Sequence, residues 1–317
     1  MAYPFGRDPS GALSAIMPSK KIPLIDRLLQ DGWFASPQEA QPWLLAGKIL
    51  VNTRQSASGN EKIPADATIR VKEYYKRRYV NKGGLKLHKA LTHFGIDANG
   101  KTALDCGAST GGFTDCLLQH GATRVYAVDA GHGELSAKLR RDPRVTNLER
   151  TNIADDALAQ LDPRPTLITL DLSYLSLRDA LPPCKTILGN TGEIIALIKP
   201  IVEVASTLIR QSGDINQRTV LIEVLHSMYT FFEESGFTVR GMTHSPIRGN
   251  RDALEYFAHL TLGTPDTKDF PNKNNRPDFE ALVDESFALG KFGKNSFTPA
   301  DFAFPCTLIN EGATHAN

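Results

Sequence analysis

Four ionisable residues fall where they could activate a hydroxyl group: Lys86, Asp171, Lys199 and Glu255. Lys86 follows Gly83-Gly84. Asp171 ends the apolar run Thr169-Leu170, Lys199 ends Ala196-Leu197-Ile198, and Glu255 opens the run Tyr256-Phe257. A hydroxyl oxygen is a poor nucleophile until its proton is removed or polarised. A lysine at its ordinary pKa of about 10.4 is protonated and cannot take that proton. A second lysine and partial burial lower the value, while neighbouring carboxylates hold it up. Two lysines and two carboxylates therefore form a set that can be balanced for proton transfer. Any one of them alone would read as a solvated surface charge, so the reading rests on the group.

A second constellation suits a nucleoside ligand. The stretch Asp105-Cys106-Gly107-Ala108-Ser109-Thr110-Gly111-Gly112-Phe113 joins a buried strand, a glycine-rich turn and the start of a helix. Such a turn lets a ligand approach the backbone N–H groups closely. Asp129 ends the next apolar run, where an acidic side chain can bind both ribose hydroxyls. The glycine spacing departs from the dinucleotide pattern, and Asp105 before the turn would repel a pyrophosphate. S-adenosylmethionine carries an ammonium and a sulfonium instead. It is the expected cofactor, held by residues 105 and 107–113 with Asp129.

These residues need a scaffold that gathers strand ends. After a helix at 85–94, strands are expected at 102–106, 124–129, 144–148, 166–172 and 193–199, with helices at 112–119, 134–140, 177–188 and 216–235. Alternation of this kind argues an α/β fold with a doubly wound parallel sheet. The final pair, 237–243 and 253–262, is joined by a loop with no crossover helix, so an antiparallel closing edge is expected. Parallel strands present their C-terminal ends at one edge, where such sheets bind ligands. A last strand running the other way starts at that edge, which would bring Glu255 to Asp171 and Lys199.

The N-terminal part reads as a separate α+β module. A short amphipathic helix begins at Ile22. A second helix has Ser36 as N-cap, Pro37 in its first turn and Glu39 closing a capping box. Pro42 should kink it or fray its first turn. Strands are expected at 48–52 and 68–72, around a polar turn at 53–60. The organisation is thus an extension (1–20), a small domain (21–76), a linker (77–82), a large domain (83–263) and a partly disordered C-terminal extension (264–317) with one helix near 279–289.

Charge is also unevenly spread along the chain. Residues 1–89 hold 15 Lys and Arg against 7 Asp and Glu, whereas residues 90–317 hold 21 against 28. A basic end on a near-neutral chain suits a polyanion. Cys106, Cys116, Cys184 and Cys306 are scattered without a Cys-x-x-Cys pair, which argues against a zinc site or disulfide framework. With no apolar run near ~18 residues and no basic n-region, neither a membrane span nor a signal peptide is expected. The expected location is cytoplasmic, with no metal.

Several strings together resemble the TlyA family of rRNA 2′-O-methyltransferases, some of which carry haemolysin names. They are Gly-Gly-Leu-Lys-Leu at 83–87, Leu-Asp-Cys-Gly-Ala-Ser-Thr-Gly-Gly-Phe-Thr-Asp at 104–115, Glu-Arg-Thr-Asn at 149–152, Asp-Leu-Ser-Tyr-Leu-Ser-Leu at 171–177 and Lys-Pro at 199–200. The resemblance runs over residues 22–262. It implies an S-four-type RNA-binding domain followed by an FtsJ-like, Rossmann-like class I methyltransferase domain. It also implies methylation of cytidine ribose in ribosomal RNA, free or in ribosomal subunits. The family's Lys-Asp-Lys-Glu tetrad falls on Lys86, Asp171, Lys199 and Glu255. Asn152 falls in a cofactor-binding string, and the linker motif falls on Arg77, Tyr79 and Val80. This chain departs from the family pattern at Ile201-Val202-Glu203 after the Lys-Pro, and at Pro42. The alternatives are a non-catalytic, ribosome-associated RNA-binding protein and a haemolysin, for which no amphipathic membrane segment is apparent.

If the basic end carries RNA affinity, binding depends on counterion release. Raising monovalent salt from about 50 to 200 mM should weaken rRNA binding by ~10-fold or more. Fluorescence anisotropy with a labelled rRNA fragment measures this, and a salt-independent affinity would contradict it.

Overall fold

The computed structural model describes residues 20–72, 78–189, 191–263 and 276–289. The chain forms two compact units that divide after Lys72.

The first unit is built from β1 (Lys21–Pro23), α1 (Leu24–Gln30), α2 (Pro37–Leu45), β2 (Ile49–Val51), β3 (Arg54–Ser56), β4 (Lys62–Pro64) and β5 (Ile69–Val71). Strands β3, β2 and β5 make one antiparallel sheet, and β1 pairs with β4. Strand β3 lies in the segment expected to be a polar turn. Asn52, at φ 56°, turns the chain back after Val51 so that Arg54 faces it. Helix α2 runs on through Pro42. Its start is secured by a capping box: Ser36 accepts from the Glu39 N–H, and Glu39 accepts from the Ala35 N–H. Leu24, Leu28, Phe34, Leu44 and Ile49 form the apolar centre.

The second unit holds α3 (Gly83–Phe94), β6 (Thr102–Cys106), α4 (Gly112–Gln119), β7 (Arg124–Asp129), α5 (Ala137–Arg140), β8 (Val145–Glu149), β9 (Leu167–Leu170), α6 (Leu177–Leu188), β10 (Gly192–Ile198), α7 (Pro200–Glu203), α8 (Thr207–Ser212), α9 (Arg218–Glu234), β11 (Thr238–His244), β12 (Tyr256–Leu262) and α10 (Phe279–Phe287). The seven-stranded sheet has the order β11-β12-β10-β9-β6-β7-β8. Strands β10, β9, β6, β7 and β8 are parallel, and β12 runs antiparallel between β10 and β11. The expected sheet with an antiparallel closing strand is thus present. Helix α5 is shorter than the expected 134–140. Glu134 instead turns its carboxylate to the Ser109 hydroxyl.

Side chains alternate across each strand, so one sheet feeds two cores. Leu104, Ile168, Ile194 and Ile198 face α6 and α9, while Ala103, Leu167, Ile195 and Leu197 face α3 and α4. Fully burying one such leucine or isoleucine contributes about 1.5–3 kcal/mol. Helix α10 joins the first core through Phe279, Leu282 and Val283, at helical spacing, and Asp278 caps its start. Part of the segment expected to be a loose extension is therefore packed. Cys106, Cys116 and Cys184 are buried and free, and Cys306 lies outside the described residues. No helix among the described residues is long and apolar enough to cross a membrane.

The same alternation corrects the expectation for Asp105. It faces α4 with Ala103, fully buried, and accepts hydrogen bonds from the Thr114 (2.6 Å) and Thr169 (3.0 Å) hydroxyls. Burial pushes its carboxyl from 3.8 up to about 7, against the pull of the two threonines. The carboxyl therefore forms no acidic wall of a ligand site.

Because the folded pKa is raised, the folded chain keeps a proton that the unfolded chain releases near pH 4. The stability linked to this group is full at low pH and is lost as pH rises toward 7. In urea unfolding, wild type should lose on the order of 4 kcal/mol more than Asp105→Asn between pH 4 and pH 8. A difference between the two that stays constant with pH would contradict the assignment.

Candidate active site

The cleft opens at the C-terminal ends of β6, β7, β9 and β10, and has a volume of about 700 Å³, within the range for small-molecule sites. Its floor is the turn after β6. Gly107 and Ala108 both donate to the Val128 carbonyl, at 2.9 and 3.1 Å. Gly107 has φ +84°, and a Cβ there would run into the Asp171 carbonyl. Glycine is thus required both by the left-handed conformation and by the close approach of the chain at Asp171.

Asp129, at the end of β7, accepts from the Ser109 N–H (2.7 Å) and the Gly131 N–H (2.8 Å). These bonds fix a carboxylate at the cleft wall while leaving lone pairs for a diol. Gly107, Ala108, Ser109, Gly112, Phe113, Asp129 and Asn152 all line the cleft. Thr110 and Gly111 do not. The Thr110 hydroxyl accepts from Asn81, and Gly111 lies against Leu135 and Leu139, where no side chain fits. Asp105 lies behind the floor, as described.

All four candidate catalytic residues line the same cleft. Lys86, on α3, reaches Glu255 with Nζ to Oε2 at 2.6 Å. Lys199, just past β10, reaches Asp171 at 2.6 Å and donates to the Ser173 hydroxyl at 3.0 Å. The Lys86 and Glu255 side chains are 12% and 5% exposed, so this pair is largely dry. Burial pulls the Lys86 ammonium down, but Glu255 and Asp171 outweigh it and hold Lys86 above its ordinary pKa. Lys86 therefore stays a cation. Glu255 meets it because β12 runs antiparallel to β10 and starts at the edge where β10 ends. The loop before Glu255 passes so close that a Cβ at Gly249 would strike the carboxylate. Arg251 and Asp252 in that loop have φ 55° and 63°, a conformation costing on the order of 1 kcal/mol per non-glycine residue.

The motif reading missed several lining residues: Asn81, Glu134, Leu172, Tyr174, Arg248 and Asn250. Tyr174 is a fully exposed aromatic, and its position beside Asp171 was the one available signal. Of the linker residues, Tyr79 is buried with its hydroxyl 3.2 Å from His88, and the Val80 N–H donates to Asp115. Arg77 lies outside the described residues. The departure at Ile201-Val202-Glu203 leaves Glu203 buried, where it accepts from the Ser176 hydroxyl and the Leu177 N–H.

The FtsJ-like methyltransferase family model matches residues 79–262. A Bacillus subtilis chain assigned as an rRNA methyltransferase, YqxC, is 38% identical over 245 residues, covering 77% of this chain and 87% of that one. The 16S/23S rRNA (cytidine-2′-O)-methyltransferase TlyA of Mycobacterium tuberculosis is 32% identical over 237 residues, 75% of this chain and 88% of that one. A solved Streptococcus thermophilus structure bearing a hemolysin name superposes with a TM-score of 0.62 at 33% identity, covering 84% of this chain and 96% of that one. With the glycine turn, the Asp129 carboxylate at the cleft wall and the sheet order in place, the chain belongs to the FtsJ-like methyltransferase family, enzymes whose methyl donor is S-adenosylmethionine.

Proposed function

We propose that the protein methylates the 2′-hydroxyl of cytidine ribose in ribosomal RNA, acting in the cytoplasm on the RNA or on ribosomal subunits. The observation that carries this reading is the meeting of two lysine–carboxylate pairs in one cleft with the cofactor turn. A ring nitrogen attacks with a free lone pair, so a base methyltransferase has no hydroxyl proton to strip and would not need two lysine–carboxylate pairs. The names of the TlyA relatives support the same substrate.

S-adenosylmethionine supplies an electrophilic methyl group. Residues 107–109, 112 and 113 with Asn152 would cradle it, and Asp129 would take the ribose hydroxyls. The acceptor oxygen gains positive charge as its bond to carbon forms, so its proton becomes strongly acidic. In this account the Lys199 ammonium passes one proton to the Asp171 carboxylate and the resulting amine takes the hydroxyl proton, while Ser173 helps to aim the Lys199 head. Lys86, kept cationic by Glu255, holds the acceptor nucleotide. Tyr174 offers a bare ring at the cleft mouth on which a base can stack. The S-four-type module of residues 21–76, with the basic linker at 77–82 that follows it, adds phosphate contacts that position the RNA without reading its sequence.

Lys199→Ala should lower the single-turnover methylation rate of rRNA by ~100-fold or more, the scale of lost acid–base assistance. Cofactor affinity by calorimetry should stay near wild type. Near-normal turnover would remove Lys199 from the chemistry, and lost cofactor binding would make its role one of support.

A further inference from the structure

Arg248 is a cation that lines the cleft yet is only 8% exposed. Burying a guanidinium without acceptors is costly, so its partners show what holds it. On one side it donates to the Leu289 carbonyl from Nη2 (3.1 Å) and Nε (3.3 Å). Leu289 follows the C-cap residue Ala288 of α10, so its backbone position is set by where that helix ends. On the other side, Nη1 donates to the Asp252 carbonyl (3.3 Å), which also accepts from Asn216 (2.9 Å), and reaches the Asp252 carboxylate at 3.5 Å. Asp252 is the second of the two left-handed residues in the loop that leads to Glu255. The same loop is pinned by Gly249 N–H to Ala253 O, and by Leu254 N–H to Asn216. A second tie joins α10 to β12 directly: the buried Tyr256 hydroxyl lies 2.9 Å from Ser286.

We propose that Arg248 is a positioning residue, and that through it helix α10 sets where Glu255 stands against Lys86. The helix lies beyond the stretch that matches the family, at residues 279–287 against a match ending at 262. The inference rests on the proposed methylation only for its activity readout. Without the Leu289 acceptor, the guanidinium loses half its anchorage and the strained loop relaxes. Glu255 then drifts from Lys86. The cofactor turn, made by β6 and β7, is untouched.

The test uses the full-length protein with Arg248→Gln and, remote from the cleft, Leu282→Ala, which loosens α10 from its core. Arg248→Gln should lower kcat by about 10-fold or more, with RNA KM and cofactor Kd changed less than about 2-fold, as displacement of a catalytic group predicts. Leu282→Ala should lower kcat in the same direction and add little in the Arg248→Gln background. Hydrogen exchange should rise over residues 249–255 in Leu282→Ala, with or without RNA. Thermal melts confirm that each variant is folded, and cofactor titration counts active sites. A raised RNA KM with unchanged kcat in Arg248→Gln would overturn the proposal and make Arg248 an RNA contact. Wild-type kcat and unchanged loop exchange in Leu282→Ala would overturn it equally. A wild-type enzyme inactive on rRNA would instead sink the substrate reading, and loop exchange would still decide this link.

Discussion

The structure depends on one electrostatic constraint: charges withdrawn from water must be paired. The cleft meets it with the ion pairs Lys86–Glu255 and Lys199–Asp171, both at 2.6 Å, and with the looser pair Arg248–Asp252 at 3.5 Å. The members of the first two come from α3, from the ends of β9 and β10, and from the start of β12. No two neighbours in sequence could make this arrangement. Removing one partner of the drier pair strands the other, a loss of about 3–5 kcal/mol where burial is complete. The sheet topology is therefore part of the chemistry, because only a reversed last strand delivers Glu255 to the edge where β10 ends.

The glycine turn obeys a constraint of another kind. Its shape is fixed by the protein before any ligand arrives. Gly107 is required by the Asp171 carbonyl, Gly111 by Leu135 and Leu139, and Ser109 is held by Asp129. The chain just past β9, at Asp171, thus lies directly against the glycine turn. Backbone packing sets the proposed proton-handling and methyl-donor sites against each other, and it is stiffer than side-chain contact.

Much of this was legible in the residues. Strand and helix periods gave the alternating sheet, and the absence of a crossover helix before 253–262 gave its antiparallel edge. The helix at 279–287 was legible from the spacing of Phe279, Leu282, Val283 and Ser286. Other features were not. Strand β3 has three residues, too few for a period of two to show. The burial of Asp105 turns on which face of β6 meets α4, and its place before a glycine turn suggested the opposite. Arg248 looks like an ordinary loop charge, since its main acceptor is a backbone carbonyl 41 residues away. Side-chain patterns carry no mark of backbone acceptors.

The central claim is that the two ion pairs work as one proton-handling unit. Its most direct test is a double-variant cycle in single-turnover methylation of rRNA, using Lys86→Ala, Lys199→Ala and the double variant at saturating cofactor. Residues that share one function lose it once. The account predicts that the double variant is within about 10-fold of the slower single variant, far from the product of the two losses. Losses that multiply would contradict it, since the two lysines would then act independently.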